Sequence, residues 1–163
     1  MAHASWYTQT GTTMAKVIDV AKLLCERLGQ IDAYKLQKLT YYSQAWNLVI
    51  NHAPLFDSRI EAWAAGPVCP ELYKFHRGSY YVNSDMFANG DSDAVNDKEL
   101  QAIEFVIKNY GDLNGLQLSF LSHTEEPWME ARSRAKAEDG AACNEEISKE
   151  DMLKFYLKMA QNS

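Results

Sequence analysis

Residues 32–50 read DAYKLQKLTYYSQAWNLVI. Within them Leu36, Leu39, Tyr42, Ser43, Trp46, Val49 and Ile50 recur at steps of three and four, the spacing of one wide helix face. Lys35, Lys38 and Asn47 fall on the other side, and Asp32 stands where an N-cap belongs. The segment is long and rich in rings, so it is the expected spine of a helical core.

On its N-terminal side Val17, Val20, Ala21, Leu24 and Leu28 predict a helix that stops at Gly29. On the other side, Pro54 ends the spine. SRIEAWAAG then alternates Ile60, Ala62 and Ala64 with Arg59, Glu61 and Trp63, a short-strand pattern over 59–65 bounded by Gly66-Pro67. Pro70 and Glu71 suit the first turn of a helix reaching about Arg77. Residues 78–96 are dense in turn formers; SYYV suggests a second minor strand near 79–83, and ANGDSD reads as a mobile loop.

Asn96 and Glu99 form a cap signature ahead of Leu100, Ile103, Ile107 and Tyr110. Residues 113–123 predict a helix with Leu116, Phe120 and Leu121 inward. Thr124 is positioned to cap a helix running through Trp128 to about Lys136, with Pro127 in its first turn. A linker, AEDGAACNEE, leads to a last helix capped by Ser148 with Asp151 and striped by Met152, Phe155, Tyr156 and Met159. The expected fold is mainly α: one compact domain over 14–160, of six or seven helices with at most a minor β element. Residues 1–13 lack periodicity and any signal-peptide pattern, and read as a poorly ordered leader.

The 163 residues are 47% apolar, enough for a real core, and carry a net charge of −6, which argues against a nucleic-acid binder. Three scattered cysteines, Cys25, Cys69 and Cys143, suit a reducing compartment rather than a disulfide framework. No apolar stretch approaches the roughly 18 residues of a membrane span, so the expected location is cytoplasmic.

The stretch with the strongest hint of chemistry is WAAGPVCPELYKFH, residues 63–76. Cys69 as nucleophile and His76 as base would share a helix face, yet seven residues separate their side chains by roughly 10 Å, too far for a dyad. Cys69 reads instead as a small apolar residue at a tight corner. His3, His52, His76 and His123 show no metal-ligand spacing, and nucleotide and hydrolase fingerprints are absent. In SHTEEPW, His123 stands near Glu125 and Glu126, but a Thr124 cap with solvated acids in the first turn explains the pattern. Nothing demands an enzyme, a cofactor or a metal. Tyr80, Tyr81, Met86 and Phe87 lie in a polar loop, where they are either interface anchors or fold back onto the body.

Three segments together, LQKLTYYSQAW (36–46), AWAAGPVCPELY (62–73) and LSHTEEPW (121–128), resemble the Panacea antitoxin domain, also called the SocA-like or GepA phage-associated protein family. The resemblance spans roughly residues 14–158. It implies a mainly helical antitoxin-type domain, phage- or mobile-element-borne, that neutralises a cognate toxin by direct protein–protein binding. Delivery of a bound toxin to a cellular protease is the alternative, and a Cys69-dependent enzyme a more distant one. The motif residues it carries over are Leu36, Lys38, Leu39, Tyr41, Tyr42, Trp46, Trp63, Gly66, Pro67, Val68, Pro70, Leu72, Tyr73, Thr124, Pro127 and Trp128, all read as scaffold. Partner contacts are then expected around Tyr80–Phe87 and on the acidic last third.

Overall fold

The structure is a computed structural model that describes residues 14–163, so the expected leader lies outside the described residues. Among the latter the chain forms α1 (Val17–Leu28), β1 (Ile31–Asp32), α2 (Ala33–Asn51), β2 (Glu61–Trp63), β3 (Gly66–Val68), α3 (Pro70–His76), β4 (Tyr81–Val82), α4 (Asp97–Tyr110), α5 (Gly115–His123), α6 (Glu126–Arg134) and α7 (Lys149–Gln161). The architecture is mainly helical, as expected. Two antiparallel two-stranded sheets complete it: β2 with β3 as a hairpin, and β1 with β4, where Ile31 faces Val82.

Helix α2 is the hub, with α1, α3, α4, α5, α7 and β3 all packed around it. Asp32 caps it, accepting a hydrogen bond from the Lys35 amide. From Leu36 to Leu48 every residue is buried. Lys38 and Asn47 are therefore not on an outer face, whereas Ile50, placed inward by its spacing, is exposed.

A helix with no wet side has only the protein to satisfy its polar groups, and among the described residues Lys38 Nζ, Thr40 Oγ1 and Ser43 Oγ find no partner. Three other α2 side chains are satisfied by holding irregular backbone. Gln37 accepts from the Cys69 amide and donates to the Cys69 carbonyl. Gln44 does the same for Leu55 and Phe56, accepting from the first amide and donating to the second carbonyl. Asn47 donates to the carbonyl of Ala53. These bonds explain why loop 52–58 and the corner at Cys69 lie against the hub without secondary structure of their own.

At the far end of α2, Tyr41, Tyr42 and Trp46 meet Tyr110 of α4 and Tyr156 of α7. Tyr42 stacks on Tyr110 at 4.2 Å, and Trp46 Nε1 donates to the Tyr110 hydroxyl at 3.0 Å. Glu125 is buried among these rings and accepts 2.7 Å hydrogen bonds from both Tyr42 and Tyr156. Because Tyr156 donates its only proton to Glu125, Tyr41 is the donor in its 3.0 Å bond to Tyr156. Burial raises the Glu125 carboxyl above its usual range, and the two tyrosine bonds oppose that rise.

This corrects the reading of SHTEEPW. Glu125 is not a solvated acid but the acceptor at the centre of a buried network, while Glu126 is exposed. Nor does Thr124 cap α6. Glu125 occupies the N-cap position, and the Thr124 hydroxyl donates back to Leu121.

The stretch 88–96 is fastened rather than free. Lys22 donates to the Gly90 carbonyl, and the Asp91 amide donates to Asp19, both on α1. Phe87 is fully buried beside them. At the other end of the molecule Arg132, also buried, donates to the carbonyls of Ala62, Glu138 and Ala141, drawing the linker onto β2. Residues 145–147 then run along β2: Ala62 donates to Glu145, and Ile147 to Ile60.

Candidate functional site

The corner between β3 and α3 forms one side of a cavity of about 360 Å³. Its aromatic walls are Tyr34, Trp63, Tyr73 and Tyr80, and Gln37, Lys38 and His76 contribute polar groups. Motif residues read as scaffold thus also line a pocket: Lys38, Trp63, Val68 and Tyr73 belong to both sets.

Each wall has a local cause. Gly66 sits at φ 120°, a conformation that only glycine adopts readily, and its missing side chain leaves room for Lys38. A Cβ there would lie 2.6 Å from Lys38 Cε and 3.1 Å from Ser122 Oγ. Pro70 opens α3 at its first position, as expected, and Leu72 turns inward while Tyr73 turns to the cavity. Trp128 donates to the Trp63 carbonyl at 2.9 Å and stacks on His123 at 4.1 Å, which locks the hairpin to α5 and α6. Gly66→Ala is accordingly expected to cost roughly 2–4 kcal/mol in urea unfolding. The loss should shrink in a Lys38→Ala background, where the clashing methylene is gone.

The polar groups are unequally satisfied. The Cys69 amide fixes Gln37 Oε1 as acceptor, so Gln37 Nε2 donates to His76 Nε2 at 2.9 Å. His76 is thereby held in the neutral tautomer with its proton on Nδ1. Burial lowers its pKa, and Lys38 adds to that effect. Lys38 is fully buried, and its Nζ has no hydrogen-bond partner among the described residues. Burial pushes its ammonium down to about 7, with Asp32 pulling the other way. Nζ lies 5.8 Å from the centre of the Tyr34 ring.

Cys69 and His76 do not form a dyad. His76 Nε2 is engaged by Gln37, Cys69 is 2% exposed, and burial pushes its thiol up to about 11. Such a thiol is a poor nucleophile. Among the described residues no group of three His, Cys, Asp or Glu side chains is placed to hold a metal ion, and no helix is long and apolar enough to cross a membrane.

The four loop residues expected at an interface separate. Tyr80 and Tyr81 are 60% and 58% exposed, in edge contact at 4.7 Å; Met86 is at the margin of exposure; and Phe87 is core, so it is no contact residue. The pairing of β1 with β4 divides them, because it holds residues 80–82 at the rim while the following turn tucks Phe87 under Phe75. Helix α5 supplies surface that spacing alone assigned inward: Leu116 and Phe120 are 81% and 74% exposed. Its packed face is made of Gly115, Leu118, Ser119 and Ser122. Small residues let α5 come close to α2, near enough that a Cβ on Gly115 would lie 2.9 Å from Tyr34 Cβ.

Tyr34, itself about half exposed, connects the two parts. It shares the cavity with Tyr80, whose carbonyl accepts from the Ala33 amide, and it abuts the start of α5. Tyr81, Tyr80, Tyr34, Leu116 and Phe120 are thus all exposed: Tyr34 and Tyr80 line the cavity, Tyr81 rests against Tyr80, and Leu116 follows the glycine that abuts Tyr34. No curated protein and no solved structure matches the chain. The family model described as antitoxin SocA-like, Panacea domain, matches residues 36–129, a span that runs from the start of the hub through the hairpin and the cavity walls to Trp128. Since that match covers more than half of the sequence, the chain belongs to the antitoxin SocA-like, Panacea domain family.

Proposed function

We propose that this protein neutralises a toxin protein by binding it directly through the tract of Tyr34, Tyr80, Tyr81, Leu116 and Phe120. The observation that carries the reading is the exposure of two large apolar side chains on α5 next to paired surface tyrosines, in a chain of an antitoxin family. Exposed aromatic and aliphatic groups gathered on one surface are the usual anchors of protein interfaces. The complex would bury at least about 1,000 Å². The net charge of −6 suits a basic toxin and would raise the association rate more than the affinity.

Co-expression with the product of the neighbouring gene tests this, read by growth rescue and co-purification. Replacing Leu116 and Phe120 together by Asp is expected to leave the fold intact, since both side chains face solvent, and to weaken the complex roughly 100-fold. An unchanged affinity in that variant would dismiss the surface. Client half-life in the same cells separates masking from delivery to a protease: masking leaves it unchanged or longer, and delivery shortens it.

A further inference from the structure

We infer that the cavity over Lys38 is a binding site for a carboxylate carried on an aromatic body, a function distinct from toxin binding although Tyr34 and Tyr80 border both. A buried ammonium or amine without an acceptor is costly and uncommon in a folded interior. Among the described residues no acceptor lies within hydrogen-bond distance of Lys38 Nζ. Asp32, the nearest charge that favours its ammonium, accepts from the Lys35 amide as the cap of α2. Gln37 and His76 are engaged with each other and with Cys69.

Lys38 thus lines the cavity with a buried, unpartnered amine 5.8 Å from the centre of the Tyr34 ring, a donor that a ligand entering between these walls would uncover. Its placement is built, because Gly66 leaves out a side chain where the lysine stem runs. The chemistry of the missing partner follows. One cationic side chain, with the Asp32 carboxylate as the other charge acting on it, matches at most a single negative charge, which favours a carboxylate over a phosphate dianion. Tyr34, Trp63, Tyr73 and Tyr80 offer ring faces and edges to the rest of the ligand. A volume of about 360 Å³ lies at the small end of organic-ligand sites, which run from roughly 300 to 1,000 Å³.

Binding would draw a proton onto Lys38, because a carboxylate in contact favours the ammonium. The titratable groups facing it are Asp32 at the cap of α2, His76 on α3 and His123 on α5. Burial lowers both imidazoles, so they are already neutral where Lys38 changes charge, from about pH 7 upward.

The test is calorimetric titration of the full chain at pH 6.5 with benzoate and indole-3-carboxylate, each against its neutral amide. A hexapeptide ending in a free Phe carboxylate, and the same peptide amidated, form a second arm. At least one acid should bind, its amide should bind tenfold or more weakly, and affinity should fall as pH rises above 7. The tighter arm tells a free small acid from a chain terminus. Lys38→Met should lose the preference for acid over amide while keeping its circular dichroism spectrum. Absence of binding by every acid at 10 mM (a concentration of roughly millimolar-Kd sensitivity), equal binding of acids and amides, or a Lys38→Met protein that still prefers the acid would each overturn the assignment. The acid–amide comparison and the pH profile are made on the wild-type chain, so the outcome does not depend on how the variant folds. Toxin neutralisation is read separately, through Leu116 and Phe120.

Discussion

Lys38→Met is expected to stabilise the protein at pH 7 and below, although it removes a residue at the centre of the fold. The amine has no acceptor among the described residues, and its stem runs through packed interior. Methionine keeps most of that stem and contributes no group needing solvation. The sign follows from protons. Unfolded, Lys38 has its ordinary value near 10.5, and folded it is lowered to about 7. Between those values the unfolded chain binds one more proton than the native one, so wild-type stability gains from this group as pH rises, by up to about 1.4 kcal/mol per unit. Below pH 7 the full penalty is present.

The advantage of methionine should therefore be on the order of 3–5 kcal/mol at pH 6.5 and decline steadily toward pH 10.5. At roughly 2–4 °C per kcal/mol, the corresponding rise in Tm is about 10 °C. Taking the difference between the two proteins at each pH cancels the other titrating groups. A variant that is less stable than wild type at pH 6.5 would show that the amine has a structural partner.

Glu125→Ala should act in the opposite direction and as strongly. The carboxylate is the acceptor for two buried hydroxyls, Tyr42 and Tyr156, and through Tyr156 it orients Tyr41. Its removal leaves donors from α2 and α7 unsatisfied and a cavity among the rings. Charge-assisted bonds of this kind, lost from one side only, cost roughly 3–5 kcal/mol together. Glu125→Gln keeps an acceptor oxygen and should lose about 1–2 kcal/mol at neutral pH.

The pH dependence again has a definite sign. The folded carboxyl is raised, so the native state holds its proton to higher pH than the unfolded chain does. Stability from this group is greatest below the ordinary carboxyl range and falls as pH climbs through the raised value. Glu125→Gln removes that slope. A further comparison isolates the unsatisfied donors: adding Tyr42→Phe and Tyr156→Phe to Glu125→Ala should restore part of the loss. Losses that simply accumulate would refute the network as described.

How much of this was legible beforehand depends on the range of the interaction. Local devices were. Asn96 and Glu99 form the capping box of α4, Asp32 caps α2, Ser148 caps α7, and Pro70 begins α3, because each involves residues within a turn of one another. The hub was also legible as a helix.

Which of its sides face inward was not. Periodicity marks a boundary between protein and water, and a helix surrounded by α1, α4, α5 and α7 has no such boundary for its central turns. Lys38 and Asn47 consequently read as surface, though both are buried. In α5 the rule failed for a different reason. Packing there is set by how closely two backbones approach, so Gly115, Ser119 and Ser122 turn inward and Leu116 and Phe120 are left outside. Glu125 was missed because acidic residues at a helix start have a sufficient local explanation; its two tyrosine partners are 83 and 31 residues away. One signal was present: a motif containing Tyr41, Tyr42 and an acid beside Pro-Trp holds two hydroxyls that need an acceptor once the rings are buried.

The distances along the chain in that ring cluster have a consequence for biosynthesis. Tyr41 meets Tyr156 directly across 115 residues, and the Glu125 carboxylate, which joins Tyr156 to Tyr42, lies 31 residues from the former and 83 from the latter. A nascent polypeptide emerging from the ribosome can wind the hub helix early but cannot shelter it, since the face that α7 will cover remains wet until Tyr156 has been translated and released. A product truncated before that point would leave the side of α2 that α7 covers, with Tyr41 and Trp46 on it, open to water.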